Sequence, residues 1–256
     1  MAKKKQRGIL QLTGPTQNMI IYRKRNGEFG FRKKGGVTAE RMATDPNYEA
    51  ARLNAKDFGQ ACKAAVLIKR AFAAMVPRQA NSNLFQRLTG LCKAVIKSDL
   101  AHKRGSRRLP DGDTRLFHDF EFTPAGSFSN TMPVPFLHRV DRAAGTVSLE
   151  WPAYIPGEVV LAPEKATHYR LKLGAAVLHF ENGKHTVSFT RSADMPLNVT
   201  PAVPQTLSVK IPVNTADPVF VALAIEFMEE EGHVRYPIRD SRFCLMKLAA
   251  VDVAGA

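Results

Sequence analysis

Residues 218–228, PVFVALAIEFM, decide the fold of this chain. The run from Phe220 to Ile225 is apolar at every position, so both faces of this stretch are hydrophobic. A strand that is apolar on both faces is typical of the centre of a buried sheet. Turn residues follow it at Glu231-Gly232. We therefore predict a central β-strand over residues 218–228.

The surrounding residues, 115–256, show the pattern of an all-β region. Apolar and polar residues alternate in Thr146–Trp151 and in Leu207–Ile211, and turn signals such as Asn182-Gly183 separate the runs. Seven to nine short strands at this spacing predict a two-sheet sandwich, Ig-like or jelly-roll-like. The predicted strands are 116–122, 131–138, 146–151, 157–162, 167–180 (one strand or two), 185–190, 206–211, 218–228 and 242–252.

A β-hairpin is predicted near the start of the chain. Met19–Arg25 and Glu28–Lys33 are strand-like runs that flank Asn26-Gly27. This dipeptide is the strongest short hairpin signal and favours a type I′ turn, in which both central residues have positive φ.

Two helices are predicted between the hairpin and the sandwich. Thr38 is placed to cap a short first turn, and Asp45-Pro46 supplies an N-cap and a first-turn proline for a helix that ends at Pro77. Ser82 is the predicted cap of a second helix that ends near Leu100. In the longer helix an apolar face lies opposite a basic stripe whose members fall within about 40° of one another. The apolar face is Leu53, Ala61, Ala64, Ala65, Ile68, Phe72 and Met75, and the stripe is Arg52, Lys56, Lys63 and Arg70.

The predicted class is therefore α+β, with a β-hairpin and a helical hairpin ahead of the sandwich. Residues 102–114, HKRGSRRLPDGDT, combine a basic cluster with Pro110 and Gly112, which is typical of a linker. We place the domain boundary here, with a basic hairpin and helical region over 1–108 and the sandwich over 109–256.

Charge is distributed unevenly along the chain. Residues 1–110 contain 24 Lys and Arg against 6 Asp and Glu, whereas the remaining residues contain 13 against 17. A concentrated basic segment usually binds a polyanion, and aromatic residues among the hairpin cations (Tyr22, Phe29 and Phe31) would add surfaces for stacking. The candidate nucleic-acid-binding residues are Lys3, Lys4, Lys5, Arg7, Arg23, Lys24, Arg25, Arg32, Lys33, Lys34, Arg52, Lys56, Lys63, Arg70, Lys103, Arg104, Arg107 and Arg108.

Catalytic and metal-binding patterns are weak by comparison. The sequence contains no G-x-S-x-G, S-x-x-K, Walker loop or G-x-G-x-x-G. His179 and His185 lie on either side of the Asn182-Gly183 turn and could face each other on paired strands, as a metal site or a proton relay requires, but two ordinary strand residues fit this spacing better. His118 and Asp119 would point to opposite faces of a strand. The acidic run Glu229–Glu231 indicates a solvated loop tip or a docking point for a basic arm. We expect no enzyme activity, no metal and no cofactor.

The compartment is also constrained. No signal peptide and no run of about 20 apolar residues is present, so we expect a cytoplasmic protein that does not use a membrane. Cys62, Cys92 and Cys244 are odd in number and lie in apolar surroundings, which favours reduced, buried thiols.

The chain resembles a group of uncharacterised Bacteroidota proteins across most of its length. The resemblance implies the order of hairpin, helices and sandwich, and it transfers no functional residue. The residues that carry it are Gly8-Ile9-Leu10, Gly14, Tyr22, Gly27, residues 32–37, Asp45-Pro46, Arg52, Asn54, Phe58-Gly59, residues 166–171 and residues 225–227.

Two functions from different classes follow. The first is a non-enzymatic nucleic-acid-binding protein whose basic arm contacts the phosphates of RNA or DNA with little dependence on sequence. The alternative is a structural subunit of a homo-oligomeric filament or shell, in which the hairpin docks on a neighbouring subunit and its charges meet acidic patches such as Glu229–Glu231.

Overall fold

The computed structural model describes residues 14–15, 19–33, 35–77 and 83–254. The chain divides into two compact units, Met1–Arg52 and Leu53–Ala256, each of which is described by itself.

The first unit contains a small antiparallel sheet and a short helical segment. Strands β1 (Gly14–Pro15), β2 (Met19–Arg23) and β3 (Phe29–Lys33) pair in that order. Helix α1 (Ala39–Thr44) begins at Thr38, whose hydroxyl accepts the Arg41 N–H, and a 3-10 turn (Pro46–Tyr48) begins at Asp45. Both predicted caps are therefore confirmed.

The hairpin turn differs from the predicted type I′. Gly27 has φ of +90°, whereas Asn26 is not among the residues with positive φ. Gly27 N–H donates to Lys24 O and Lys24 N–H donates to Glu28 O. This pattern is a type I turn followed by a glycine bulge, the common three-residue hairpin loop. Three loop residues relieve Asn26 of the strained conformation that a two-residue loop would impose.

Two longer helices follow. Helix α2 (Glu49–Ala71) is shorter than predicted at both ends, and α3 (Leu84–Ser98) follows it. The predicted cap Ser82 lies outside the described residues, and Asn83 occupies the N-cap position. The predicted apolar face of α2 is confirmed, because Ala61, Ala64, Ala65 and Ile68 are buried.

The remainder of the second unit is mainly β-structure. A 3-10 turn (Thr114–Phe117) and two one-turn helices, α4 (Phe128–Thr131) and α5 (Pro156–Val159), accompany the strands. The strands are β4 (Leu137–Asp141), β5 (Thr146–Trp151), β6 (His168–His179), β7 (Lys184–Arg191), β8 (Met195–Pro196), β9 (Gln205–Lys210), β10 (Val219–Glu231), β11 (Val234–Pro237) and β12 (Leu245–Asp252).

Strands β6 and β10 form the centre of the larger sheet. They pair antiparallel from Val219↔Val177 to Met228↔His168. The outer edge of β10 pairs with β12 and then with β11, while the outer edge of β6 pairs with β7 and β8. The stretch predicted as a central strand is therefore central. The smaller sheet has the order β4-β5-β9.

The large sheet is covered on both faces. On one face Leu171, Val221 and Ile225 share a core with Val147 and Leu149 of the small sheet. On the other face the sheet residues Ala176, Phe220 and Leu248 share a core with Ile68 of α2 and Leu88 of α3. The second unit thus has three layers, two sheets and a pair of helices, and the predicted α+β class with a sandwich is confirmed.

The division into units differs from the boundary that we predicted between residues 108 and 109. The compact units meet at Arg52 and Leu53 instead. The physical reason is that α2 and α3 bury their apolar faces on the large sheet. The basic excess extends to about residue 110, whereas the compact units divide between Arg52 and Leu53.

Several predicted strands have other structures. Residues 157–162 contain α5, because Pro156 starts a helical turn, and residues 131–138 contain the end of α4 and only the beginning of β4. In residues 116–122 a 3-10 turn precedes a strap, residues 119–122, that bonds along β12. Residues 167–180 form one strand, not two.

Candidate nucleic-acid interface

The hairpin cations lie on β2, β3 and the turn between them. Lys24 is 3.5 Å from the Glu28 carboxylate, and Arg23 Nε donates to Gly27 O at 3.3 Å. Arg25, Arg32 and Lys33 are exposed. The candidates Lys3, Lys4, Lys5, Arg7 and Lys34 lie outside the described residues.

Arg52 is held by backbone carbonyls. One guanidinium nitrogen donates to Met42 O at 2.8 Å and to Asp45 O at 2.9 Å. These carbonyls lie near the end of α1, where helix geometry leaves acceptors without partners. Arg52 therefore braces the first unit, a role that helical periodicity alone does not indicate.

The other three members of the predicted stripe form what we call the basic row: Lys56, Lys63 and Arg70. All three are exposed on α2, and no hydrogen bond or ion pair joins them to another described residue. Their spacing of seven residues gives the row a length of about 21 Å along the helix.

A second group of cations, residues 103–108, is called the basic loop, and its backbone is fixed against α2. Gly105 N–H donates to the buried Asp57 carboxylate at 2.9 Å. Gly105 has φ of +87°, and a Cβ there would lie 2.5 Å from the Leu53 side chain. This close approach places the backbone of Lys103 and Arg104 beside the turn of α2 that carries Lys56. Two clusters that are about 50 residues apart in sequence thus become neighbours.

Asp99 anchors the same loop from its other side. Its side chain is fully buried, and Oδ1 accepts the N–H groups of Ala101 and His102 at 2.9 and 3.1 Å. Oδ2 accepts the Arg108 N–H at 2.9 Å and lies 3.0 Å from His102 Nδ1. Burial acts to raise the pKa of Asp99, but these bonds outweigh it and hold the pKa below its usual range.

Asp99, His102 and Asp111 are the described group with the spacing of a metal site, with one ligand atom from each within 4.8 Å of the others. A carboxylate offers about four lone-pair positions. Four N–H groups already occupy those of Asp99. The arrangement therefore acts as the anchor of the basic loop and leaves Asp99 no free electron pair for a cation.

The remaining loop cations differ in their surroundings. Arg108 pairs with Glu181 at 2.6 Å. Arg107 is half-buried, and its Nε is enclosed without a hydrogen-bond partner in the described part of the chain. Lys103 and Arg104 are exposed and have no carboxylate partner there.

Pairing of charges distinguishes this region from the sheets. Among the described lysines and arginines of residues 53–108, Arg108 alone has a carboxylate partner. In the sheets and their loops many cations have one within 4 Å. Those cations are Arg115, Arg142, Arg170, Lys172, Arg235, Arg242 and Lys247. Seven of the 13 lysines and arginines in residues 111–256 are thus paired, against one of the described lysines and arginines in residues 53–108.

A buried polar cluster at the edge of β12 was missed by the sequence analysis. Lys247 is 6% exposed, and its Nζ donates to Asp119 Oδ1 at 2.7 Å and to Ser129 Oγ at 3.0 Å. The rings of Phe128 and Phe136 lie 5.4 and 5.3 Å from this nitrogen. The contacts tie the strap and α4 to the sheet. A single lysine in a strand gives no sequence signal for such a contact.

The prediction for His118 and Asp119 is wrong, whereas the favoured interpretation of His179 and His185, as ordinary strand residues that do not face each other, agrees with the strand register. His118 and Asp119 do not alternate on a strand, because Asp119 has φ of +56° and its carboxylate lies 3.5 Å from His118 Nδ1. His179 pairs in register with Lys184, and His185 pairs with Leu178. His179 and His185 therefore lie on opposite faces of the sheet, and His179 contacts Asp217 at 2.7 Å instead.

The acidic run Glu229–Glu231 is the end of β10, and the predicted loop tip is the β10–β11 turn that follows it. Glu230 is engaged within the chain, since its carboxylate lies 2.9 Å from Arg235 Nε and 3.3 Å from His168 Nδ1. The alternative function had assigned this run to a neighbour's basic arm, and Glu230 is already paired.

The three cysteines are free, with Cys92 buried and Cys62 and Cys244 half-buried. Burial raises the pKa of the Cys92 thiol to about 12, which keeps it protonated at neutral pH. Within the described residues, no helix combines the length and the apolar content needed to span a bilayer.

Comparison of the chain with family models, with curated proteins and with solved structures gave no significant match.

Proposed function

We propose that this protein is a non-enzymatic nucleic-acid-binding protein that contacts phosphates with little dependence on sequence. In the second unit the contact surface is the basic row together with Lys103 and Arg104 of the basic loop. The observation that carries the proposal is that these exposed cations lie on α2 and on a loop bonded to it without a carboxylate partner among the described residues. In residues 111–256, by contrast, seven of the 13 lysines and arginines have one.

Electrostatics favours an external polyanion for such a surface. Cations that lie close together repel one another, and the repulsion is relieved when a partner supplies negative charge. Nucleic acid does so at regular intervals and releases its condensed counterions on binding, so that affinity depends steeply on salt. The anchored backbone of the basic loop lowers the conformational entropy that its cations would lose on binding.

The surface offers the chemistry of backbone contacts more than of base recognition. Lysine binds phosphate as a point charge, whereas sequence is read by side chains that reach base edges within a groove. Three of the five cations of this surface are lysines, and its arginines, Arg70 and Arg104, have no ion-pair partner among the described residues that would fix a guanidinium for reading a base edge. Low sequence preference follows.

The test is to neutralise the basic row with Lys56→Gln, Lys63→Gln and Arg70→Gln. We expect weaker binding to mixed-sequence single- and double-stranded oligonucleotides. The slope of log K against log salt should fall by about 0.9 per lost phosphate contact on duplex DNA, or about 2.7 for three contacts. Fluorescence anisotropy titrations at four salt concentrations measure both quantities.

A matched control is Lys165→Gln, Lys184→Gln and Lys210→Gln. These lysines are exposed on the sheets and loops, and either triple variant lowers the net charge from +14 to +11. The control should bind within about twofold of the parent if location matters. An equal loss of affinity in both variants would show that binding depends on net charge and not on the basic row. Unchanged affinity of the basic-row variant would reject the proposed surface.

A further inference from the structure

We propose that the N-terminal hairpin is a stacking platform for the bases of single-stranded nucleic acid, with Phe29 and Phe31 as the stacking side chains. The inference rests on the proposed function and specifies its ligand: a polyanion whose bases are unpaired. It adds to the phosphate-binding surface a second contact of different chemistry.

The strand register places both rings on one face of the hairpin. Phe31 pairs with Ile21 and Phe29 pairs with Arg23. Residues two apart in a strand share a face, so Phe29, Phe31, Ile21 and Arg23 project to the same side, together with Lys33. Phe29 is 48% exposed and Phe31 is 62% exposed.

The opposite face is built differently. Tyr22 pairs with Gly30, and a Cβ on Gly30 would lie only 2.7 Å from the Tyr22 ring. The absence of a side chain at Gly30 thus lets this ring lie flat on the neighbouring strand. Tyr22 packs on the hairpin itself, whereas Phe29 and Phe31 have no ring contact among the described residues.

The spacing and the charges fit an unpaired strand. Successive same-face residues of a strand are about 6.7 Å apart, which allows each ring to meet one base of an extended single strand. Arg23 lies opposite Phe29, and Lys33 follows Phe31 on the same face, so a cation lies at each end of the pair of rings. Bases inside a duplex are stacked on one another and do not present their faces.

Charge complementarity selects this occupant over an apolar one. The hairpin carries Arg23, Lys24, Arg25, Arg32 and Lys33 against Glu28 in its described residues. A second copy of the same hairpin would bring these cations together, and a purely apolar partner would leave them unpaired. A ligand with planar aromatic groups and regular negative charge satisfies both features.

The test compares the parent protein with a double variant that carries both Phe29→Ala and Phe31→Ala. On a mixed-sequence single-stranded 20-mer we expect at least about 30-fold weaker binding, since stacking of two bases is lost. Affinity for the matching duplex should stay within about twofold. An abasic 20-mer should bind the parent and the variant equally, because neither complex contains a stacked base.

Two further variants separate stacking from apolar contact. Phe29→Leu with Phe31→Leu keeps an apolar surface without a planar ring and should lose affinity as the alanine variant does. Leu137→Ala with Tyr236→Ala removes exposed apolar side chains from the sheets and should bind normally. Circular dichroism verifies that each variant is folded.

Three results would overturn the platform: a leucine variant that binds like the parent, equal losses on single strand and duplex, or light scattering that shows a phenylalanine-dependent dimer. Failure of the parent to bind any oligonucleotide at low salt would instead reject the proposed function as a whole.

Discussion

The buried carboxylate of Asp99 and the half-buried carboxylate of Glu121 differ in how their oxygens are hydrogen-bonded. Asp99 accepts four N–H groups, and its pKa lies below the usual range. Glu121 accepts from Phe128 N–H at 2.6 Å and from Ser127 through Oε1, but its Oε2 is buried without a partner in the described residues. Burial raises the pKa of Glu121 above its usual range despite these bonds and the charge of Lys247. The first carboxylate stabilises the fold in its ionised form, and the second costs stability in that form.

Amide substitutions should separate the two. Asp99→Asn would point an NH₂ at N–H groups that now meet an oxygen, so we expect a loss of about 1–3 kcal/mol in the free energy of unfolding. Glu121→Gln keeps the acceptor for Phe128 and removes a buried charge, so its stability at pH 7 should equal or exceed that of the parent. Urea unfolding at pH 7 measures both.

The ionised carboxylates of Asp99 and Glu121 should affect the free energy of unfolding with opposite signs, and both effects should fade in acid. The contribution of Asp99 is present at neutral pH and is lost as pH falls through its lowered pKa, so Asp99→Asn should approach the parent in acid. The cost of Glu121 is present above its raised pKa and is relieved as pH falls, so any gain from Glu121→Gln should shrink towards pH 4. A gain from Glu121→Gln that grows in acid would contradict this assignment.

At the scale of elements, the loop after α3 packs against the helix as closely as backbone permits. A Cβ on Gly112 would lie 2.1 Å from the carbonyl oxygen of Val95, in the last turns of α3. Backbone atoms of a helix cannot move aside as a flexible side chain does. Gly90, on the exposed side of the same helix, has open space around its Cα.

Alanine at these two glycines should therefore have opposite effects. Gly112→Ala should destabilise the protein by about 1–3 kcal/mol through the clash with α3. Gly90→Ala should stabilise it by about 0.5–1 kcal/mol, because alanine is the better helix former. Thermal and urea unfolding of the pair provide the measurement, and each variant is the control for the other. Similar effects of the two would show that α3 does not fix the loop.

The success of the sequence analysis at this scale depended on what each signal encodes. Apolar periodicity predicted the buried side of α2, and the doubly apolar run predicted the central position of β10. Local capping at Thr38 and Asp45 was also predictable. The bracing of Arg52 by Met42 and Asp45, the Gly105–Asp57 bond and the Lys247 cluster were not, since each joins groups whose side chains carry no periodic signal. The predicted basic stripe consequently contained one residue that the fold uses internally.

At the scale of the whole molecule, both buried cores that the described residues form lie in the second unit. Both clusters of buried apolar residues begin at or after Ala61 and end by Ala250. The chain therefore has the apolar material for an independent fold without its first unit. Buried apolar residues and basic residues are both unevenly distributed along the chain. The unit boundary lies at Arg52 and Leu53, however, whereas the basic excess extends to about residue 110.

A shortened chain that begins at Glu49 should remain folded. We expect a Tm within about 3 °C of the full chain, which corresponds to roughly 1 kcal/mol for a protein of this size. A chain that ends at Arg239, and so lacks β12, should not fold cooperatively, because β10 and the helices would lose a shared neighbour. Differential scanning calorimetry measures both, and a fall of more than about 10 °C in the first chain would show that the hairpin unit is part of the core.

The core between the helices and the large sheet cannot be completed until β12 has been synthesised. The helices α2 and α3 leave the ribosome first, but the sheet surface that shelters them includes Met246 and Leu248, near the other terminus. Until those residues are synthesised, the apolar faces of α2 and α3 lack part of the sheet surface that buries them in the folded protein. We expect the cations of α2 and α3 to reduce aggregation of nascent chains during this interval through charge repulsion, a role that does not depend on any ligand.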